Sequence, residues 1–140
     1  MTFDVLFCLL DVSGSASNVV WSAGFASYQN GEGITTGPLV ESWNGRRWTF
    51  MTSLPMTPNA IEVVAANDIY AVGFNGFGVV IAHWNGTRWT SVPTPAAGGV
   101  SILDDVEQTG VGEGNEGAPL WAVGSLATNS GELALVFQGP

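Results

Sequence analysis

Few side chains in this sequence have the chemistry to act on a substrate. His83 is the only histidine and Cys8 the only cysteine. One imidazole cannot build a multi-histidine zinc site, and no Gly-x-Ser-x-Gly stretch offers an activated serine. His83 is therefore expected as a packed hairpin residue. Cys8 lies in the apolar run MTFDVLFCLL, the setting of a buried, inert thiol. Carboxylates offer one hypothesis. Asp11, Glu62 and Asp105 each precede a valine at the start of a short extended segment. Arranged around a common axis, they would offer oxygen ligands to a hard cation such as Ca²⁺. The plainer reading makes them polar strand ends facing solvent. Glu113 and Glu116 in GEGNEG are a second candidate, but they lack the spaced oxygens of a dedicated Ca²⁺ loop. For ligand contact the expected residues are Tyr28, Gln29, Asn30 and Glu32, in the longest loop between strands, because binding residues concentrate on loops.

Positioning these groups falls to a repeat. WNGRRWT at residues 43–49 returns as WNGTRWT at 84–90. A second pattern runs through DVSGSASNVVWSAG (11–24), EVVAANDIYAVG (62–73) and DDVEQTGVGEGNEGAPLWAVG (104–124). Each has an acid, a valine, a polar or glycine-rich gap, then an aromatic shortly before glycine: Trp21, Tyr70 and Trp121. ELALVFQG near the C-terminus aligns with PLVESWNG and VVIAHWNG, setting Phe137-Gln138-Gly139 opposite Trp-Asn-Gly. The ending LVFQGP also resembles the tail of a viral-protease recognition site, so a third strand and an appended tail both stand as readings.

Each unit reads as four short strands, in the middle unit roughly 61–66, 69–74, 78–84 and 88–92, separated by Gly, Asn, Asp and Pro. No segment keeps a 3.6-residue apolar period, so no long helix is expected. The chain, 1–140, is expected to form one all-β segment with blade-like repeats at about 5–54, 60–93 and 100–140. The third stops after its third strand. Four-stranded units at this period point to a β-propeller of about three antiparallel blades. A closed propeller needs about four to eight blades. The chain is thus either part of a longer propeller or a protomer that closes a ring as a homo-oligomer. Residues 2–7, TFDVLF, are a candidate for the missing fourth strand of the third unit, in this chain or a neighbouring one.

Asn-Gly is a strong hairpin signal. A two-residue turn would oppose Trp43 to Arg46. A four-residue loop would oppose Trp43 to Trp48 and Trp84 to Trp89, and it explains why the tryptophans recur in pairs. All six tryptophans fall in three repeated slots, which favours packing between units over a sugar platform.

Twelve acids against three bases give a net charge of −9. Nucleic-acid binding through phosphate neutralisation is not expected. No apolar run reaches the roughly 20 residues of a membrane-spanning helix, and the N-terminal run lacks a basic start and is broken by Asp4. Membrane insertion and a signal peptide within this chain are not expected. Protein or carbohydrate ligands remain open.

NDIYAVG and PLWAVG, followed by VVIAHWNGTRWTSVPTP, resemble the repeat of bacterial β-propeller proteins whose blades read Val-Trp-Ala-Val-Gly, then His-Trp-Asn/Asp-Gly-x-x-Trp, then Pro. That family is loosely related to the kelch and galactose-oxidase-like propellers. The WNG stretch is also similar to the Asp-box hairpin of sialidase-type propellers, although Ser42, Asn44, Gly45 and Trp48 are spaced one residue too short. The match departs at Tyr70, where the family usually has Trp, and at Phe137-Gln138-Gly139. The resemblance implies an extracellular or cell-surface setting and a binding or scaffold module with no single reaction. A lectin or glycosidase-like propeller, or a fragment without independent function, is the alternative.

Overall fold

The computed structural model describes residues 5–51, 53–94, 100–109 and 119–138. Among these residues the chain is all-β, with no helix. The first sheet holds β1 (Val5–Ala16), β2 (Val19–Asn30), β3 (Gly33–Trp43) and β4 (Trp48–Met51) in sequence order, and the second β5 (Thr57–Ala65), β6 (Asp68–Phe74), β7 (Val79–Trp84) and β8 (Trp89–Val92). The third has β9 (Val100–Gln108), β10 (Leu120–Thr128) and β11 (Gly131–Gln138). All neighbouring strands run antiparallel.

The repeated WNG stretch forms the four-residue loop. Trp43 pairs with Trp48, and Trp84 with Trp89. The asparagine caps the loop. Asn44 Oδ1 accepts the Arg46 and Arg47 amides at 3.0 Å each, and Asn85 Oδ1 those of Thr87 and Arg88. Gly45 and Gly86 take φ of 91° and 95°, which side-chain-bearing residues rarely adopt. Asn75-Gly76-Phe77-Gly78, between β6 and β7, makes the same loop, with Phe77 N–H on Asn75 Oδ1 and Asn75 N–H on the Gly78 carbonyl.

A second repeated device lies on the first strand of each sheet, called the inner strand because β1, β5 and β9 lie side by side. Each of β1, β5 and β9 carries a bulge, at Leu10, Asn59 and Asp104. Beside each bulge the inner strand crosses the glycine of the neighbouring strand so closely that a Cβ at Gly24, Gly73 or Gly124 would lie 1.9–2.0 Å from a carbonyl oxygen. This close approach is the physical reason each aromatic-x-x-Gly pattern ends in glycine.

The sheets stack in chain order: β5 packs on β1 and β2, and β9 on β5 and β6. One core lies between the first and second sheets, around Trp21, Ala23, Val40, Ile61, Ile69 and Ala82. A second lies between the second and third, around Val72, Leu103, Val106, Leu120 and Ala122. Both faces of the second sheet are therefore covered.

Three alignments read from sequence are corrected by pairing register. Trp21 pairs with Ser42, Tyr70 with His83, and Trp121 with Gln138. Gln138, where the sequence alignment set Val136, thus matches Ser42 and His83, and Phe137 matches Glu41 and Ala82 rather than a tryptophan. The two-residue turn between Thr128 and Gly131 sets that register. Asp11 and Asp105 are equivalent, since they oppose Ala23 and Val123, but the equivalent residue of the second sheet is Ala60. Glu62 instead matches Glu107 and Ser13. The acid-valine pair shared by Asp11-Val12 and Glu62-Val63 hides this two-residue offset in the sequence. Of residues 2–7, the described Val5, Leu6 and Phe7 pair with Tyr28, Ser27 and Ala26 of β2, as the start of one long inner strand, and supply no fourth strand to the third sheet of the same chain, while residues 2–4 lie outside the described residues.

Candidate functional site

The inner strands run in the same direction, because their cross-links advance together. Asp11 Oδ2 accepts the Ile61 amide at 2.9 Å, and Ser13 Oγ accepts the Val63 amide at 3.0 Å. Asn59 Nδ2 donates to the Leu103 carbonyl, and Glu62 Oε1 accepts the Gln108 amide. Consequently the WNG loops lie at one end of the molecule. The turn of β2–β3, the β4–β5 connection and the turn of β6–β7 lie at the other.

At that second end a cleft of about 560 Å³ opens, lined by Pro38, Leu54, Pro55, Met56, Thr57, Asn59, Phe74, Asn75, Gly76 and Ile102. Its wall is the connection from the outer strand of the first sheet to the inner strand of the second. Leu54 and Met56 of this connection are buried and anchor it. Asn59 is held by its bond to the third sheet. The lining is mainly apolar, with polar groups from Thr57, Asn59 and Asn75. Phe77, next in the chain after Gly76, is 97% exposed. A concave apolar surface with a few fixed polar groups suits a neutral ligand.

Tyr28, Gln29 and Glu32 are exposed at the β2–β3 tip, at the same end as the cleft but outside its lining. Asn30 closes that hairpin opposite Gly33. Sequence reasoning missed the cleft because its walls come from separated segments. The one available signal was the proline-rich connection SLPMTP at residues 53–58.

Of the carboxylates chosen as a cation ring, Asp11 and Glu62 are engaged in joining strands, and Asp105 bonds within its own strand. Asp11 Oδ1 also accepts its neighbour's amide, from Val12, and Asp105 Oδ1 accepts that of Val106. Glu62 Oε2 accepts the Ser13 hydroxyl at 3.1 Å. Burial raises the Glu62 pKa above its ordinary value; the Ser13 and Gln108 hydrogen bonds oppose this, and Glu107 and Asp11 add to it. Among the described residues no group of three or more His, Cys, Asp or Glu is placed to hold a metal ion. Glu113 and Glu116 lie outside the described residues.

His83 Nε2 lies 2.8 Å from Asp68 Oδ1, and its ring packs on Tyr70 at 4.6 Å. Burial, then the Asp68 charge, raises the Tyr70 pKa. The register of β6 and β7 brings these groups together, so the histidine is a packed sheet residue. Cys8 is half-buried in β1. Arg46, Arg47 and Arg88 are exposed in the WNG loops. No described helix is long and apolar enough to cross a membrane.

Three of the six tryptophans meet between the first and second sheets. Trp21 sits 5.5 Å from Trp84 and 6.0 Å from Trp89, so one sheet's aromatic enters the next sheet's pair. The Trp43–Trp48 pair, at 5.6 Å, lies on the first sheet, with Trp48 exposed.

Comparisons with protein-family models, with curated proteins and with solved structures return no match to this chain.

Proposed function

We propose that the chain is a run of β-propeller blades of the bacterial exported type it resembles, and that it serves as a non-enzymatic binding or scaffold module. The observation that supports this reading is the repeated junction. Sheet follows sheet in chain order, inner strand beside inner strand, with the same bulge, glycine and side-chain-to-amide bond recurring. Stacking of this kind holds the loops of one end in a fixed array and leaves a cleft between them. The cleft then takes a neutral ligand, a carbohydrate or an uncharged protein segment. Hydrolysis of a glycoside needs two carboxyl groups about 5–10 Å apart across the cleft. Among the described lining residues none is Asp or Glu, which favours binding over hydrolysis.

The test is an NMR titration of the ¹⁵N-labelled chain with cello-oligosaccharides, chito-oligosaccharides and an uncharged proline-rich peptide. Saturable shifts confined to the amides of Thr57, Asn59, Asn75 and Gly76 are expected with at least one probe. Shifts scattered over the sheets, no shifts with any probe, or release of reducing sugar would overturn the reading.

A further inference from the structure

The two end faces of the stack differ from every internal face in one respect: among the described residues nothing covers them. Register makes the comparison quantitative. Ile61 and Val106 face the preceding sheet and are 1% and 6% exposed. Their equivalent in the first sheet, Val12, is 62% exposed. Toward the following sheet, Ala23 and Val72 are both fully buried, while their equivalent in the third sheet, Val123, is 43% exposed. Beside Val12, a depression of about 560 Å³ runs along the first sheet to Trp48. Each end face thus presents the apolar residues that its own repeat buries elsewhere.

These faces are also the two halves of one junction. Trp21 packs on the Trp84–Trp89 pair of the next sheet. At the far end, Trp121 holds the Trp21 position with no pair beyond it among the described residues. At the near end, the Trp43–Trp48 pair has no preceding aromatic among them. The amide bonds follow the same rule. Ser13 accepts the Val63 amide, and the equivalent Glu62 accepts the Gln108 amide. The next acceptor in the series is Glu107, and the next amide is that of Gly14.

We propose that two copies of the chain associate head to tail, the third sheet of each covering the first sheet of the other. Trp121 of one copy then lies on Trp43 and Trp48 of its partner copy, and Glu107 accepts the Gly14 amide. Two such contacts close a ring of six sheets, which removes both apolar end faces at once. The proposal rests on the propeller reading above. It commits to a second copy because the chain already contains both complementary faces, and two sets of three sheets give six, within the range of closed propellers.

The experiment measures solution mass by light scattering on the full chain and on Val12→Glu and Val123→Glu. Both valines are exposed in the single chain, so neither substitution burdens the fold, and circular dichroism checks this. Wild type is expected as a dimer. Each variant alone is expected as a folded monomer, its apparent Kd raised at least about 100-fold. Mixing the two variants restores one unaltered junction, so dimer is expected to reappear on mixing. A wild-type monomer, an open polymer or a different closed number would overturn the proposal. So would a variant that stays dimeric, or a mixture that stays monomeric. None of these outcomes bears on the cleft titration, so failure of closure and failure of the binding reading remain distinct.

Discussion

The junction between the first and second sheets and the junction between the second and third share a register but not a chemistry. In the first, Trp21 enters a pair of tryptophans supplied by the WNG hairpin. In the second, Tyr70 holds the same slot and borders the core together with Phe137, and no fourth strand is described in the third sheet. A small gap of about 20 Å³ remains there, between Tyr70, Ile81, Val106 and Phe137. Tyr70 also keeps a polar side, against His83 and Asp68. The lesson is that backbone geometry carries the repeat and the aromatic contact tightens it. The glycines and bulges recur in all three sheets, whereas the tryptophan trio occurs once among the described residues.

This comparison is broken most severely at the glycines. Gly73→Ala would place a Cβ 2.0 Å from the Thr57 carbonyl oxygen, backbone that cannot yield without parting β5 from β6. Loss of cooperative unfolding is expected in a denaturant titration. Gly37→Ala, with nothing within 4 Å of its Cβ, should change stability by no more than about 0.5 kcal/mol. Equal effects at the two positions would refute the close-approach account.

Next in size come the aromatics. Trp21→Ala should cost about 3–5 kcal/mol by chemical denaturation. Tyr70→Ala should cost less, since Tyr70 is only half-buried and its junction already holds a gap. A larger loss at Tyr70 would mean that the second junction is the stronger. Asn85→Ala leaves two backbone amides and the Thr87 hydroxyl without their acceptor, for an expected loss of about 1–2 kcal/mol.

The smallest effect is pH-dependent. Glu62 has a raised pKa in the folded chain, so folding favours its protonated form. That contribution is complete below its ordinary pKa and is lost as pH rises through the folded value. Between pH 4 and pH 7 the wild type should therefore lose more stability than Glu62→Gln. Parallel pH profiles for the two proteins would show that burial does not control this group.

Much of this architecture was legible in the sequence, and the reasons are local. Asn-Gly dictates its own loop, so pairing Trp43 with Trp48 followed once both tryptophans were seen to recur. The strands β6, β7 and β8 fall within a residue of expectation, because turn residues bracket them. Residues whose roles depend on register were not legible. Glu62-Val63 repeats the acid-valine pair of Asp11-Val12, which made Glu62 look equivalent to Asp11, whereas pairing register matches Asp11 to Ala60. The Asp11 and Glu62 carboxylates bind amides 46 to 50 positions away, a partnership that no local pattern announces. The cleft is likewise assembled from Pro38, the 54–59 connection, the β6–β7 turn and Ile102.

The central claim is that the repeated tryptophans join one sheet to the next. A double-mutant cycle on Trp21 and Trp89 tests it most directly, using Trp21→Ala, Trp89→Ala and the double variant in urea titrations. The two rings lie on different sheets, 6.0 Å apart and edge to face. A coupling of about 0.5–1.5 kcal/mol is predicted. Additive losses, with no coupling, would contradict the claim and leave the tryptophans as stabilisers of their own hairpins alone.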